Sequence, residues 1–215
     1  MKIVLDSHYA PSLTWWALAA RAEDVCIEQH SYFRKGTYRN RCHIYGANGL
    51  LRLSIPLKKG KGQRSTMKDV QISYDHDWRK LHWESLCSAY RSSPYFEFYE
   101  MEFNELYQQE ILSLHAFNLK VINEVKKLLG LDKEWSLTSA YQENYNQEWI
   151  DGREIIHPNA EKHILKESIF LPEYLQVFGD KHGWLADLSI LDLLFNVGPA
   201  SLDYLTEQIK IELPF

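Results

Sequence analysis

Two patterns of apolar residues divide the chain into a first part rich in strands and a second part rich in helices. Short apolar runs over residues 2–5, 24–29 and 69–74 predict strands. Two further runs flank Gly46-Ala47-Asn48-Gly49 and predict a β-hairpin, because glycine and asparagine tolerate the positive φ angles of tight turns. The pattern therefore predicts an α/β fold of the α+β kind, with a mixed sheet and a hairpin in the N-terminal part.

Apolar residues at spacings of three and four predict helices in the rest of the chain. One helix follows Ser12, a second covers residues 77–90, and a long third covers residues 95–129. Near the C-terminus, Ser189 and Asp192 have the spacing of a capping box, which predicts the start of a very apolar helix. The C-terminal part is therefore expected to be mostly helical.

Composition and length fit one folded unit. The chain has 215 residues, of which 45% are apolar and 25% are charged, and it contains no internal repeat or linker. We expect a single domain over residues 1–215, in which a helix-rich half (94–215) packs on a sheet-rich half (1–93). Three scattered cysteines favour a reducing compartment, and no stretch approaches the ~18 apolar residues of a membrane span. The sequence thus predicts a cytoplasmic protein without a membrane span.

Charge is distributed unevenly along the chain. Residues 31–68 contain ten of the 24 Lys and Arg residues and none of the 29 Asp and Glu residues. Such a cluster of cations attracts an anionic ligand. On a strand, Arg39, Arg41 and His43 would share one face, with the two arginines about 7 Å apart, a spacing suited to a diphosphate. The lysine-rich loop over residues 58–68 has two interpretations, a lid over a bound phosphate or a solvated turn.

Two histidines are candidates for proton transfer. His8 lies in the loop after the first predicted strand, where open α/β sheets place binding groups. It is equally compatible with a turn residue that satisfies a backbone group. His82 lies one helical turn from Trp78 on an apolar face, which is more typical of a core residue than of a general base. Glu28 is either a catalytic carboxylate between cations or a structural partner for one of them.

Several motifs, in order along nearly the whole chain, resemble the WbqC-like family of bacterial proteins. They are His8-Tyr9-x-Pro11 with Trp15 and Trp16, Tyr38-Arg39-Asn40-Arg41, Leu53-x-Ile55-Pro56, Trp78-x-Lys80-x-His82, Ser93-Pro94-Tyr95-Phe96, and residues 188–196 with Gly198-Pro199. The family begins with His-Gln-Pro, whereas this chain has His8-Tyr9-Ala10-Pro11 and lacks the glutamine. A role that needs an amide beside His8 is therefore not carried over.

The resemblance implies a place in surface-polysaccharide (O-antigen) biosynthesis, since family members are encoded with such genes. Nucleotide sugars are pyrophosphates, so this implication agrees with the basic segment. We expect a transferase that moves an acyl or aminoacyl group to an amino sugar carried on a nucleotide, with His8 or His82 as general base. The residues expected to bind the anionic substrate are Tyr9, Tyr38, Arg39, Asn40, Arg41 and Lys80.

Two alternatives remain open at this stage. The first is a non-catalytic nucleotide-sugar-binding or scaffold protein of a glycan-assembly pathway. The second is nucleic-acid binding through basic residues interleaved with aromatic ones. The acidic remainder of the chain, a pI near 6.0 and the lack of a known nucleic-acid module argue against the second, so no nucleic-acid partner is expected. The sequence assigns no cofactor, no metal-ligand spacing and no oligomeric state.

Overall fold

The computed structural model describes residues 1–58, 65–165 and 167–212. Its strands are β1 (Lys2–Asp6), β2 (Asp24–Glu28), β3 (Arg41–Gly46), β4 (Gly49–Ser54), β5 (Ser136–Leu137), β6 (Trp149–Asp151), β7 (Ile169–Phe170) and β8 (Lys210–Ile211). Its α-helices are α1 (Leu13–Arg21), α2 (Trp78–Tyr90), α3 (Phe96–Gln108), α4 (Leu114–Leu128), α5 (Gly179–His182), α6 (Ile190–Val197) and α7 (Ser201–Asp203). The predicted α/β fold class is confirmed.

The main sheet has four strands in the order β5-β2-β1-β6, and all neighbouring pairs are parallel. Its central strand β1 is buried from Ile3 onward, as expected for a short apolar run. Since parallel strands end at the same edge, Asp6, Glu28 and Asp151 lie together along the carboxyl edge of the sheet. Open parallel sheets bind ligands at this edge.

The hairpin is separate from this sheet and has the predicted turn. Strands β3 and β4 pair in antiparallel register from Arg41↔Ser54 to Gly46↔Gly49, which leaves a two-residue loop. Gly49 has a φ of 96°, a conformation that favours glycine. Cys42 and Leu53, which face each other across the hairpin, are buried in the core. The opposite face of β3 is therefore left for polar side chains.

The single long helix predicted over residues 95–129 is wrong. The chain forms α3 and α4, and Ser113 caps α4 by accepting a hydrogen bond from the amide of Ala116. Residues 109–113 are drawn out of the helix because they pair with the segment before α2. The amide of Ile111 donates to the Tyr74 hydroxyl (3.0 Å), and the amide of Ile72 donates to the carbonyl of Leu112 (2.8 Å).

The strand predicted over residues 69–74 is also absent from the described structure. Met67–Asp69 form a 3₁₀ turn, and beyond it Gln71 and Ile72 make only isolated bridges. One bridge joins Ile72 to Leu57 and the other joins Gln71 to Ser113. This segment links the hairpin to α4 instead of extending a sheet.

Helix α6 lies in the centre of the core, and only half of its predicted capping box forms. The hydroxyl of Ser189 accepts a hydrogen bond from the amide of Leu191. The Asp192 carboxylate instead accepts hydrogen bonds from the hydroxyls of Tyr90 (2.8 Å) and Tyr174 (2.6 Å) and from the Gln176 amide (2.9 Å). Burial of this acid is thus compensated by three donors.

The end of the described chain packs against the core. Helix α7 continues into a π-helical turn, Tyr204–Gln208, in which Leu205 is fully buried. Beyond this turn, β8 pairs with β7 in antiparallel register. In the part of the chain that the structure describes, every helix is too short or too polar to span a lipid bilayer.

Candidate functional site

Asp6 and Arg39 form a buried ion pair at the carboxyl edge of the sheet. The Arg39 Nη2 and the Asp6 Oδ2 are 2.8 Å apart, and the residues are only 1% and 3% exposed. Arg39 lies in the turn before β3 and not on the strand, so the expected pair of arginines on one strand face does not form. A buried guanidinium needs a carboxylate partner, and Asp6 is the partner of Arg39 in the interior.

His8 follows Asp6 and is also buried, at 3% exposure. Its ring lies beside that of Tyr38, with 5.7 Å between the centroids. The Nδ1 atom has no hydrogen-bond partner among the described residues. The pKa of His8 is lowered to about 4, mainly by burial; the charge of Asp6 opposes this lowering, and Arg39 and His157 contribute to it. The imidazole is therefore neutral at pH 7, with a ring nitrogen available.

Tyr38 connects His8 to the polar face of the hairpin. Its backbone carbonyl accepts a hydrogen bond from the amide of Tyr9 (2.9 Å), which joins the His8 loop to the hairpin. Its ring meets the His43 ring edge-on at 5.4 Å, and its hydroxyl lies 3.4 Å from His43 Nδ1. Tyr38 therefore holds the His8 loop against the hairpin.

Two arginines share the polar hairpin face with His43. Arg41 is two residues from His43 on β3, and Arg52 is directly opposite His43 on β4. We call the set His8, Tyr38, Arg41, His43 and Arg52 the hairpin cluster. Burial and the charge of Arg52 lower the pKa of Arg41, and burial with both arginine charges lowers the pKa of His43.

The hairpin cluster carries uncompensated positive charge. Within residues 1–58, 65–165 and 167–212, neither Arg41 nor Arg52 forms a salt bridge, and the buried Nε of Arg41 has no hydrogen-bond partner. Arg41 is half-buried and Arg52 is exposed; neighbouring cations repel each other, and an anion between them removes that repulsion. The arrangement is thus suited to binding an anionic group.

Residues from the C-terminal half add further titratable groups beside the hairpin cluster. His163 Nε2 lies 3.3 Å from Asp187 Oδ2, and the other carboxylate oxygen accepts a hydrogen bond from the amide of Thr14 (2.8 Å). Burial, together with the charge of Asp187, raises the pKa of Tyr38, and the same charge partly opposes the lowering of the pKa of His43. Arg41 also acts electrostatically on His157, whose pKa is lowered mainly by burial.

His82 and Tyr9 lie elsewhere, in an aromatic part of the core. The Tyr9 hydroxyl lies 2.9 Å from His82 Nδ1 and 2.6 Å from the Tyr107 hydroxyl. The Trp78 ring meets His82 edge-on at 5.1 Å. Burial lowers the pKa of His82 to about 4, partly opposed by a hydrogen bond with the backbone of Ser54. The ring nitrogens of His82 thus already have partners, so of the two histidines expected to transfer protons only His8 has a ring nitrogen without a partner among the described residues.

Asn40 and Lys80 also lie outside the hairpin cluster. The Asn40 amide donates to the Ile55 carbonyl (2.9 Å) and fixes the chain as it leaves β4. Lys80 is exposed on α2, where its Nζ lies 3.9 Å from the Glu84 carboxylate, the surface pair expected from their spacing. Of the six residues expected to bind the anion, Tyr38 and Arg41 therefore lie in the cluster.

Two further sequence features are placed by the structure. Glu28 is fully buried, and its carboxylate accepts hydrogen bonds from the amides of His30 (2.6 Å) and Ser31 (3.0 Å), so it has a structural environment. Residues 59–64 of the lysine-rich loop lie outside the described residues, and its role as a lid stays a prediction. Among the described residues, no group of three or more His, Cys, Asp or Glu side chains is arranged to hold a metal ion.

Sequence reasoning missed Arg52, His163 and Asp187. Arg52 was detectable, because the two-residue turn at Ala47-Asn48 fixes the register that places Arg52 opposite His43. No local pattern marks His163 or Asp187. They reach the cluster only through the packing of the C-terminal half on α1 and the hairpin.

Fold and site together define an α/β protein in which a hairpin lies next to the carboxyl edge of a parallel sheet and carries two arginines without acidic partners in the described part of the chain. The chain belongs to the WbqC-like protein family, whose model matches residues 6–204. It is similar to the uncharacterized protein Rv1507c of Mycobacterium tuberculosis (strain ATCC 25618 / H37Rv), with 24% identity over 94% of this chain and 96% of the relative. No solved structure matches the chain.

Proposed function

We propose that the protein is a cytoplasmic enzyme of surface-polysaccharide or nucleotide-sugar biosynthesis that transfers an acyl or aminoacyl group to a nucleotide-linked amino sugar. The observation that carries the proposal is the hairpin cluster, in which two arginines without acidic partners among the described residues lie beside His43, and Tyr38 links His43 to the neutral His8. Arg41 and Arg52 hold the diphosphate, because arginine pairs with phosphate oxygens through several donors. Family membership supports the same pathway.

His8 acts as the general base in this proposal. The amine of an amino sugar must lose a proton when it attacks an activated carbonyl, and a neutral imidazole can accept that proton. His8 Nδ1 has no partner in the described structure, whereas His82 Nδ1 is engaged by Tyr9. Tyr38 lies against the ring of His8 and fixes its position relative to His43.

A non-catalytic nucleotide-sugar-binding protein is the second candidate. It is favoured by the low exposure of His8. A general base must reach the reacting amine, and at 3% exposure the His8 ring is covered by the surrounding residues. His8→Ala separates the two functions. An enzyme with this variant binds the nucleotide sugar and stops turning it over, whereas a binding protein keeps its full role in glycan assembly.

The first test is a thermal-shift screen with nucleoside diphosphates and nucleotide sugars. A ligand at 100 times its Kd stabilises the folded protein by about 2.7 kcal/mol, which raises the melting temperature. We expect Arg41→Ala and Arg52→Ala each to abolish most of the shift, since each removes a cation from the diphosphate site. Lys127→Ala, which removes an exposed cation on α4, is the matched control and should shift like the parent protein.

Two results would contradict the proposed site. One is the absence of a shift with every nucleotide tested. The other is an equal shift in the parent protein, Arg41→Ala and Arg52→Ala. Because the arginines are on the polar hairpin face, neither variant removes a core side chain, and circular dichroism checks that both remain folded.

A further inference from the structure

Residues 138–149 cross one face of the main sheet as a strap with little regular structure of its own. Arg153 anchors it by donating to the carbonyls of Gln142 (2.8 Å) and Glu143 (3.2 Å). The Arg153 guanidinium lies over the rings of Tyr141 and Tyr145 and is itself held by the Asp151 carboxylate (2.6 Å). The strap is therefore held at a defined distance from the sheet.

Residues of the strap line two cavities. Tyr141 and Glu143 line a cavity of about 390 Å³ at the carboxyl edge, together with charged groups that include Arg34 and Arg39. Other strap residues line a second cavity of about 530 Å³, which we call the strap cavity. Its principal lining side chains are Cys26, Gln142, Asn144, Tyr145, Asn146 and Trp149.

The strap cavity differs from both the carboxyl-edge cavity and the hairpin cluster in having no charged side chain among its described lining residues. Three amides, the hydroxyl residues Thr138 and Ser139, an indole and a phenol contribute to its polar and aromatic surface. Gln142, Asn144 and Asn146 are exposed, and their side chains make no hydrogen bonds within the described residues. The Tyr145 hydroxyl is buried and also lacks a partner there. Each amide offers two donors and one acceptor with two lone pairs.

We propose that the strap cavity binds an uncharged sugar ring. A pyranose carries hydroxyls that both donate and accept, which matches amides spread around a cavity. Its C–H faces pack on aromatic rings such as those of Trp149 and Tyr145. The cavity volume falls in the range of roughly 300–1,000 Å³ that is common for small-molecule sites. Binding here does not depend on the transferase proposal, because the strap cavity and the hairpin cluster share no residue.

A nucleobase fits the same surface less well. Its hydrogen-bonding groups all lie in the plane of the base, so it engages only the amides that reach that plane. Three amides from alternate positions of an extended strap point to a ligand with polar groups around its whole rim. Phosphate is disfavoured because the lining offers no cation.

Saturation-transfer NMR tests the proposal with methyl α-glucopyranoside, methyl β-galactopyranoside and N-acetylglucosamine, each compared with adenosine and uridine. At least one sugar should receive saturation from the protein. Asn144→Ala and Asn146→Ala should each weaken its binding about fivefold, the effect of one lost hydrogen bond. Gln147→Ala, which truncates an exposed amide in the same strap outside the cavity lining, is the matched control and should leave binding unchanged.

Protection of cysteines from alkylation tests whether the sugar binds in the strap cavity. Cys26 lines the strap cavity, whereas the partly exposed Cys87 lies on α2 and does not. The bound sugar should slow alkylation of Cys26 by iodoacetamide and leave that of Cys87 unchanged, as read by peptide mass spectrometry at alkaline pH. The proposal is overturned by the absence of saturation transfer to every sugar, by binding of nucleosides alone, or by equal effects of Asn144→Ala and Gln147→Ala. Failure of nucleotide binding at Arg41 would leave these results unaffected.

Discussion

At the scale of single residues, the buried Asp6–Arg39 pair determines which cations can meet a ligand. Arg39 is taken up by a carboxylate from β1, whereas Arg41, two residues later, has no acidic partner among the described residues. A charge removed from water has to be compensated by a nearby opposite charge. The two arginines are close in sequence but differ in role: Arg39 is structural, whereas Arg41 is suited to binding a ligand.

We expect Asp6→Ala to lower the free energy of unfolding by about 3–5 kcal/mol, because it leaves the Arg39 guanidinium buried without a counter-charge. Urea unfolding followed by tryptophan fluorescence measures this loss. Asp24→Ala is the control, since it breaks the exposed pair of Lys2 and Asp24 on the neighbouring strand, worth at most about 1 kcal/mol. Equal losses in the two variants would show that Arg39 does not need its partner.

At the scale of elements, α4 holds the two segments that form the site. Asn118, fully buried on this helix, donates from Nδ2 to the carbonyls of Ser7 (3.1 Å) and Arg39 (2.8 Å). One side chain thus connects the His8 loop to the turn that precedes the hairpin. Helix α4 contributes no group to the hairpin cluster, yet the side-chain amide of Asn118 positions two of the segments around the cluster.

Replacing Asn118 by leucine should cost about 2–3 kcal/mol of unfolding free energy, since two buried carbonyls lose their donor while the volume is nearly kept. Chemical denaturation quantifies the loss. Asn123→Leu, at an exposed position of the same helix, should change stability by less than about 0.5 kcal/mol. If Asn118→Leu were as stable as Asn123→Leu, the two hydrogen bonds would have no net value.

Elements with a strong local pattern were predictable from sequence. β1, α1, α2 and the hairpin follow from apolar periodicity and turn residues, and the basic face of the hairpin follows from alternation along β3. The break between α3 and α4 was not predictable, because it is imposed by tertiary hydrogen bonds from Tyr74 and Ile72. Nor were β5 and β6, which are two and three residues long and become strands only by pairing with β2 and β1.

At the scale of the whole molecule, burial of neutral histidines links stability to pH. His8, His82 and His115 each have a pKa lowered to about 4, in every case mainly by burial. An unfolded histidine has a pKa of about 6.5, so the unfolded chain binds more protons between pH 6.5 and 4. Stability is therefore expected to fall as the pH is lowered through this window, by up to about 1.4 kcal/mol per pH unit for each histidine.

His115→Leu should reduce the slope of unfolding free energy against pH by about the contribution of one titrating histidine. His115 is 5% exposed on α4, and neither ring nitrogen has a hydrogen-bond partner among the described residues. Leucine therefore removes the titration without leaving a polar group unsatisfied. Unfolding free energies measured by urea titration at pH 4.5, 5.5 and 6.5 test this, with His76→Leu as the control for loss of an exposed histidine. An unchanged slope in His115→Leu would contradict the expectation.

The strand order of the main sheet has a consequence for the newly made chain. β1 and β2 leave the ribosome first, while their outer partners β6 and β5 are translated only after α2, α3 and α4. Until residue 151 emerges, the backbone of β1 keeps an unpaired edge of the kind that invites pairing with other chains. Completion of the sheet thus depends on the last third of the polypeptide, and a chain whose synthesis stops early carries an open strand edge that chaperones must cover.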